Sequence, residues 1–146
     1  MLVMIFGLLI FFQVKHFLAD YLFQVQYEYL LQKFNPGWDF LLPLAVHAGV
    51  HAACTFMIVY LFTQSIQFSF EMAAIDLVIH FFADRLKAGP KYFGKWKALT
   101  TSEYSTASVE RKRANIYFWW MLGFDQMIHH LTHYAIIFLV MLRLVV

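Results

Sequence analysis

The chain has 146 residues, of which 62% are hydrophobic and only 14% charged, and its mean hydropathy is +0.62. A soluble domain carries about a quarter charged residues, so this composition excludes an ordinary soluble protein and indicates an integral membrane protein. The length allows one transmembrane domain, residues 1–146. The formal net charge of +2 is small, but the charges are unevenly distributed. A single cysteine, Cys54, excludes an intramolecular disulfide.

Four segments are long and apolar enough to cross a bilayer core, which needs about 20 helical residues. The first begins with an uncharged run that lacks the basic leader and cleavage site of a signal peptide, so we expect a retained span. A Pro-Gly turn signal at 36–37 precedes the second, and only TQSIQ separates the second from the third. These patterns predict an all-α, four-helix membrane bundle with spans at about 2–23, 40–62, 68–86 and 116–145.

Most of the chain's 11 Lys and Arg residues lie in or beside the third connection, 87–113. The TQSIQ connection has no basic residue. The positive-inside rule therefore places the 87–113 connection in the cytoplasm and both termini on the opposite side of the membrane. Arg143, near the C-terminus, is an exception to this pattern. We expect Lys15, near the end of the first span, to extend its ammonium group to the membrane boundary.

Polar residues inside the predicted spans recur as pairs four residues apart, one pair in each span. Four residues are just over one helical turn, so both members of a pair project from one face. With the topology above and a rise of about 1.5 Å per residue, all four pairs can meet in one layer of the cytoplasmic half. The pairs are His16 with Asp20, His47 with His51, His80 with Asp84, and Asp125 with His129.

These pairs have the chemistry of a metal site. Imidazole and carboxylate are the usual ligands of zinc, iron and manganese, and pairs on helices commonly present them. Because the candidate ligands exceed the four of a tetrahedral zinc site, we expect one or two divalent transition metal ions, zinc first. Two alternatives stay open, a hydrogen-bonded network between helices and a path for ions or protons.

Other polar residues could support such a site. Asp84 and Asp125 are the candidate catalytic carboxylates, since one that does not bind metal could act as a general base. Asp76 could equally be an ordinary interhelical partner, and Lys87 an ordinary cytoplasmic-side charge. The residues that could orient or pair with the metal ligands are Gln24, Asp76, Lys87 and Gln126.

Two further histidines lie near the His129 face. His133 continues this face by one more turn, and we expect it to form a hydrogen bond deeper in the bundle. His130 points away from the face, and we expect no role for it in the site.

The stretch 91–104 interleaves lysines with aromatic residues. Beside membrane spans, this mixture is typical of an interfacial belt that contacts anionic lipid headgroups. Binding of nucleic acid is the less favoured alternative, and we do not expect it. Membrane lipids are therefore the predicted partners.

The motifs HFLADYLFQ at 16–24, HAGVH at 47–51, HFFADRLKA at 80–88 and DQMIHH at 125–130 together resemble those of the small bacterial and phage membrane proteins grouped as domain of unknown function 3307. The resemblance implies a helical membrane protein and supplies no established activity. The site is also similar in design to helical zinc phosphoesterases, in which His-x-x-x-Asp pairs hold a metal cluster. The polar signature that the resemblance carries over consists of His16, Asp20, Gln24, His47, His51, His80, Asp84, Lys87, Asp125 and His129.

The expected function is that of a metal-dependent membrane hydrolase acting on a lipid or lipid-linked phosphate, because the site would open near cytoplasmic headgroups. One alternative is a non-enzymatic interaction protein with a structural metal clip, and another is a conductor of metal ions or protons. The apolar non-cytoplasmic halves of the first two spans argue against a conducting path in a monomer. The sequence leaves open whether the chain forms a homo-oligomer.

Overall fold

The structure, a computed structural model, describes residues 1–23, 28–35 and 38–145. This part of the chain contains helices and no strand, so the all-α prediction is confirmed. The predicted turn at 36–37 lies outside the described residues. The helices, in chain order, are α1 (Leu2–Phe17), α2 (Glu28–Leu31), α3 (Leu41–Thr63), α4 (Ile66–Ala88), α5 (Thr101–Thr106) and α6 (Val109–Val145).

Four of these helices, α1, α3, α4 and α6, are long and apolar enough to cross a membrane. Helix α1 continues directly into a π-helical turn over Leu18–Phe23. Helix α6 begins at Val109, ahead of the predicted residue 116, because the first turns are rich in charged residues that favour helix without being apolar. The polar connection is therefore shorter than predicted, and it contains α5 and a 3-10 turn at Phe93–Lys95.

The turn between α3 and α4 makes these helices antiparallel neighbours. Gln64 ends α3 in the left-handed conformation, with a φ of 51°. Ser65 then caps α4, because its side chain accepts a hydrogen bond from the amide of Phe68. The two helices pack closely along their lengths, as the short connection predicts.

The interior of the bundle differs between its two ends. The end that holds the α3–α4 turn has an apolar core, formed by Leu8, Phe12, Ile58, Val59, Met72, Ile136, Ile137 and Val140. Towards the opposite end, the interior is filled by buried histidines, aspartates and lysines. Large apolar side chains cover the outer faces of the long helices, as expected for contact with lipid.

Candidate metal centre

The four long helices bring the predicted His and Asp pairs together inside the bundle. Asp20, in the π turn after α1, has a side chain that is 10% exposed. The other seven members are buried. Turns of π-helix are rare and frequently accompany functional sites. The predicted polar cluster is thus present as one continuous buried group of side chains.

One part of the cluster consists of Asp20, His47, His51 and His80. The Asp20 Oδ1 atom lies 3.2 Å from His47 Nε2, 3.1 Å from His51 Nε2 and 4.0 Å from His80 Nε2. The Nε2 atoms of His47 and His80 are 3.3 Å apart. One ligand atom from each of the four residues lies within 4.8 Å of the others. We refer to these four residues as the Asp20 group.

The geometry of the Asp20 group fits a transition metal. Zinc binds imidazole nitrogen and carboxylate oxygen at about 2.0–2.2 Å, so ligand atoms around a tetrahedral ion are about 3.3–3.5 Å apart. The separations in the Asp20 group lie around this value. Three imidazoles and one carboxylate also form a donor set that zinc commonly takes. The Asp20 group could therefore hold one divalent ion.

A second set of candidate ligands shares His80 with the first. It consists of His80, Asp84 and His129, and we refer to it as the Asp84 group. The Asp84 Oδ1 atom lies 3.4 Å from His129 Nε2, and its Oδ2 atom lies 3.9 Å from His80 Nε2. Asp84 also reaches His47 Nε2 at 3.2 Å, so its carboxylate lies between the two groups.

His16 and Asp125 lie at the edge of the cluster, and neither belongs to the two groups found among the described residues. His16 Nε2 is 3.0 Å from Gln126 Oε1 and 3.2 Å from Asp20 Oδ2. Asp125 Oδ1 is 3.4 Å from His129 Nε2. Their role as metal ligands stays a prediction, since their polar contacts in the structure are with other ligand candidates, with Gln126 and, for Asp125, with Lys87.

Three of the four predicted supporting residues have clear partners. Gln126 contacts both His16 and Asp125, at 3.0 and 3.1 Å. Lys87 Nζ lies 2.7 Å from Asp125 Oδ2. Asp76 forms an interhelical contact outside the two groups. Gln24 lies outside the described residues.

The expectation for Lys15 is wrong. Its side chain does not extend to the membrane boundary but is 2% exposed, and its Nζ atom lies 2.5 Å from Asp76 Oδ2. Thr55 Oγ1 and His133 Nε2 accept further hydrogen bonds from this ammonium group, at 2.9 and 3.3 Å. His133 thus forms the deeper hydrogen bond that its position predicts. The sequence contained one signal for this contact. Asp76 lies inside a predicted span, and a buried carboxylate requires a partner of opposite charge.

Lys33 is a member of the cluster that sequence reasoning missed. It lies in the 3-10 turn Gln32–Phe34, between α2 and α3, and its side chain is 3% exposed. Its Nζ atom lies 2.5 Å from Asp84 Oδ2. No motif or spacing marks this lysine, because it belongs to a connection and not to a span.

A groove leads from the polar connection to the edge of the cluster. Its outer part is a cavity of about 200 Å³ whose lining includes Lys87, Lys97, Trp96 and Phe118. A separate recess of only about 10 Å³, which shares Lys87 and Phe93 with this cavity, borders Asp125. Among the carboxylates of the cluster, Asp125 is therefore the one that borders this groove.

Comparison with known proteins agrees with the motif resemblance. A family model described as "Protein of unknown function (DUF3307)" matches residues 8–146, which include all four His and Asp pairs. No curated protein and no solved structure matches the chain.

Proposed function

The chain belongs to the DUF3307 family, and we propose that it is a membrane-embedded, metal-dependent hydrolase of a lipid or lipid-linked phosphate. The observation that carries this proposal is the convergence of three histidine Nε2 atoms and the Asp20 carboxylate at metal-ligand separations. Zinc is the first candidate ion, with iron or manganese as alternatives.

We assign a separate role at such a site to each group of residues in the cluster. A bound metal would lower the pKa of a water molecule and polarise a phosphoryl oxygen. The Asp20 group would hold the ion. Asp84 lies between His47 and His129 and could orient both rings. Asp125 borders the groove, so we assign it the role of general base, with Lys87 2.7 Å away to bind an anionic group.

The groove supports an anionic lipid as the substrate. Lys87 and Lys97 supply positive charge within it, and Trp96 and Phe118 supply aromatic surface of the kind that lies at the headgroup level. The Lys87 side chain is 29% exposed, in contrast to the buried Lys15 and Lys33. A phosphate headgroup entering the groove would thus meet Lys87 before it reaches the cluster.

We assign the groove to the cytoplasmic face of a bacterial inner membrane. The α4–α6 connection carries Lys91, Lys95 and Lys97, of which Lys97 lines the groove, and the α3–α4 turn has no basic residue. Both termini then lie on the non-cytoplasmic side. The substrate would accordingly be drawn from the cytoplasmic leaflet.

Elemental analysis of detergent-purified protein tests metal binding. The wild type should carry a transition metal, and His47→Ala and His51→Ala should lower its content, because both residues belong to the Asp20 group. His129→Ala and His130→Ala form a matched pair, because His129 is buried in the cluster while neighbouring His130 contacts Gln13 at the exposed surface. Only His129→Ala should alter activity, because His129 contacts both Asp84 and Asp125. A wild type without metal would overturn the proposal.

Release of phosphate from lipid phosphates in mixed micelles then tests hydrolysis. Metal-loaded protein should release phosphate, and Asp125→Asn should abolish release while retaining metal. Protein that binds metal but neither releases phosphate from a phosphomonoester lipid nor releases the headgroup from a phosphodiester lipid would reject the hydrolase.

A structural metal clip is the second candidate, and burial favours it. His47, His51 and His80 are each at most 1% exposed, so an ion in the Asp20 group would contact little solvent. In that case, chelation should unfold the protein, and no catalytic turnover should accompany metal loading. The apolar core at the other end of the bundle argues against the third candidate, a conductor, which a liposome flux assay would test.

A further inference from the structure

Lys33 brings a positive charge into the cluster from outside the long helices. It belongs to the connection between α1 and α3, yet its side chain is 3% exposed and its ammonium nitrogen lies 2.5 Å from Asp84 Oδ2. Asp84 is the one carboxylate of the Asp84 group. The ammonium group therefore already binds one oxygen of the carboxylate that the Asp84 group offers to a metal ion.

A divalent ion on the same oxygen would lie close to this ammonium group. Metal-oxygen bonds are about 2.0–2.2 Å long, so an ion and an ammonium group on one carboxylate oxygen would be separated by about 4 Å. Like charges repel strongly at this distance in a buried site, where the effective dielectric constant is low. Lys33 and a metal ion in the Asp84 group thus exclude each other.

The charges of the cluster lead to the same conclusion. Lys33 pairs with Asp84 and Lys87 pairs with Asp125, whereas the ion pairs of Asp20 are with histidines. With neutral imidazoles, the three carboxylates and two ammonium groups leave a single negative charge. One divalent cation on Asp20 brings the net charge of the cluster to only +1, while two would bring it to +3, a buried excess of positive charge that is costly.

We propose that Lys33 takes the place of a second metal ion. The centre binds one divalent cation in the Asp20 group, and the Lys33 ammonium group fills the second cation position at Asp84. This inference rests on the proposed metal binding and specifies it, since the two groups of candidate ligands, which share His80, would otherwise each be assigned an ion. It also makes the connection before α3 part of the centre.

Metal stoichiometry tests this assignment without reference to activity. Purified protein is stripped with chelator, reloaded with zinc, passed through a desalting column and measured for zinc per chain. Wild type should retain one equivalent, and Lys33→Met should retain two, since the Asp84 group is then vacated. Lys33→Arg keeps the cation and should retain one. Lys91→Met, which removes an exposed lysine, is the matched control and should also retain one.

The outcomes separate this inference from the proposed function. Wild type without zinc would refute metal binding altogether. Two equivalents of zinc in the wild type would overturn the role of Lys33 and leave the proposed metal binding intact. This outcome does not depend on whether Lys33→Met folds. A folded Lys33→Met protein with one equivalent would also overturn it. The double variant Lys33→Met/Asp84→Asn should return to one equivalent, because it lacks the second carboxylate.

Discussion

The Lys15 ammonium nitrogen lies 2.5 Å from Asp76 Oδ2, with both side chains 2% exposed inside the bundle. Thr55 donates a second hydrogen bond to the same oxygen, at 2.6 Å. The pair joins α1 to α4 just beyond the metal-ligand candidates. It offsets the cost of each buried charge and fixes the relative position of two helices that supply the Asp20 group.

Breaking this pair should be strongly destabilising. Lys15→Met leaves the Asp76 carboxylate buried without its cation, and we expect a loss of about 3–5 kcal/mol in the free energy of unfolding. The double variant Lys15→Met/Asp76→Leu should recover most of this loss, because neither charge remains. Unfolding of the detergent-solubilised protein measures both. If Lys15→Met lowers the free energy of unfolding by less than about 1 kcal/mol, the pair contributes no more to stability than an ion pair at the protein surface.

Removal of metal should lower stability. A ligand that binds only the folded state stabilises it by about 2.7 kcal/mol at a free concentration one hundred times its dissociation constant. We therefore expect chelator to lower the unfolding temperature of the wild type and added zinc to restore it. His47→Ala should start from a lower unfolding temperature and respond little to chelator. An equal response in both proteins would place the ion outside the Asp20 group.

Substitution of Gly94 should impair the groove without affecting the metal. A methyl group at Gly94 would overlap the carbonyl of Ala88, so the backbone that carries Trp96 and Lys97 must shift. Such overpacking costs about 1–3 kcal/mol. We expect Gly94→Ala to reduce binding of phosphatidic acid in nanodiscs several-fold at unchanged zinc content. Gly123→Ala is the control, because a methyl group there meets no atom within 4 Å. Equal binding by both variants would exclude the groove as the headgroup site.

The two sides of the membrane should be distinguishable by cysteine labelling. In a Cys54→Ala background, Ser105→Cys in α5 and Gln67→Cys beside the α3–α4 turn place single thiols in exposed positions at opposite ends of the bundle. A membrane-impermeant maleimide added to intact spheroplasts should label Gln67→Cys and leave Ser105→Cys unlabelled until the cells are lysed. The reverse pattern would invert the proposed orientation and place the groove on the other face.

The short helix α5 should respond to acid. The amide and hydroxyl of Thr100 donate to the Glu103 carboxylate at 2.9 and 2.7 Å, and these hydrogen bonds hold the pKa of Glu103 below its usual value. Because the pKa is lower in the folded state, the stabilisation is present above the usual pKa and is lost as the pH falls through the folded value. Carboxyl carbon NMR should show the pKa of Glu103 rising in Thr100→Ala. An unchanged pKa would exclude the Thr100 hydroxyl as a cause and leave the Thr100 amide, which the variant keeps.

Much of the fold and the membership of the polar cluster could be predicted from local patterns. Hydropathy identifies segments long enough to span, and a four-residue spacing places both members of a pair on one helical face. Hydropathy and the four-residue spacing both depend only on residues that are close to one another along a single helix. The match over residues 8–146 and the four long helices bear this out. The start of α6 was missed because its first turns are helical but not apolar.

The partners of the charged residues were decided only by the tertiary structure. Hydropathy predicts that Lys15 reaches the membrane boundary, but the packing of α1 against α3 and α4 brings it to Thr55 and Asp76. Lys33 reaches Asp84 from a connection that no helical periodicity governs. A buried charge is stable only beside its partner, and which partner it meets depends on how separate helices pack. The sequence by itself therefore determined which residues form the cluster's four pairs, and the tertiary structure decided which cations neutralise them.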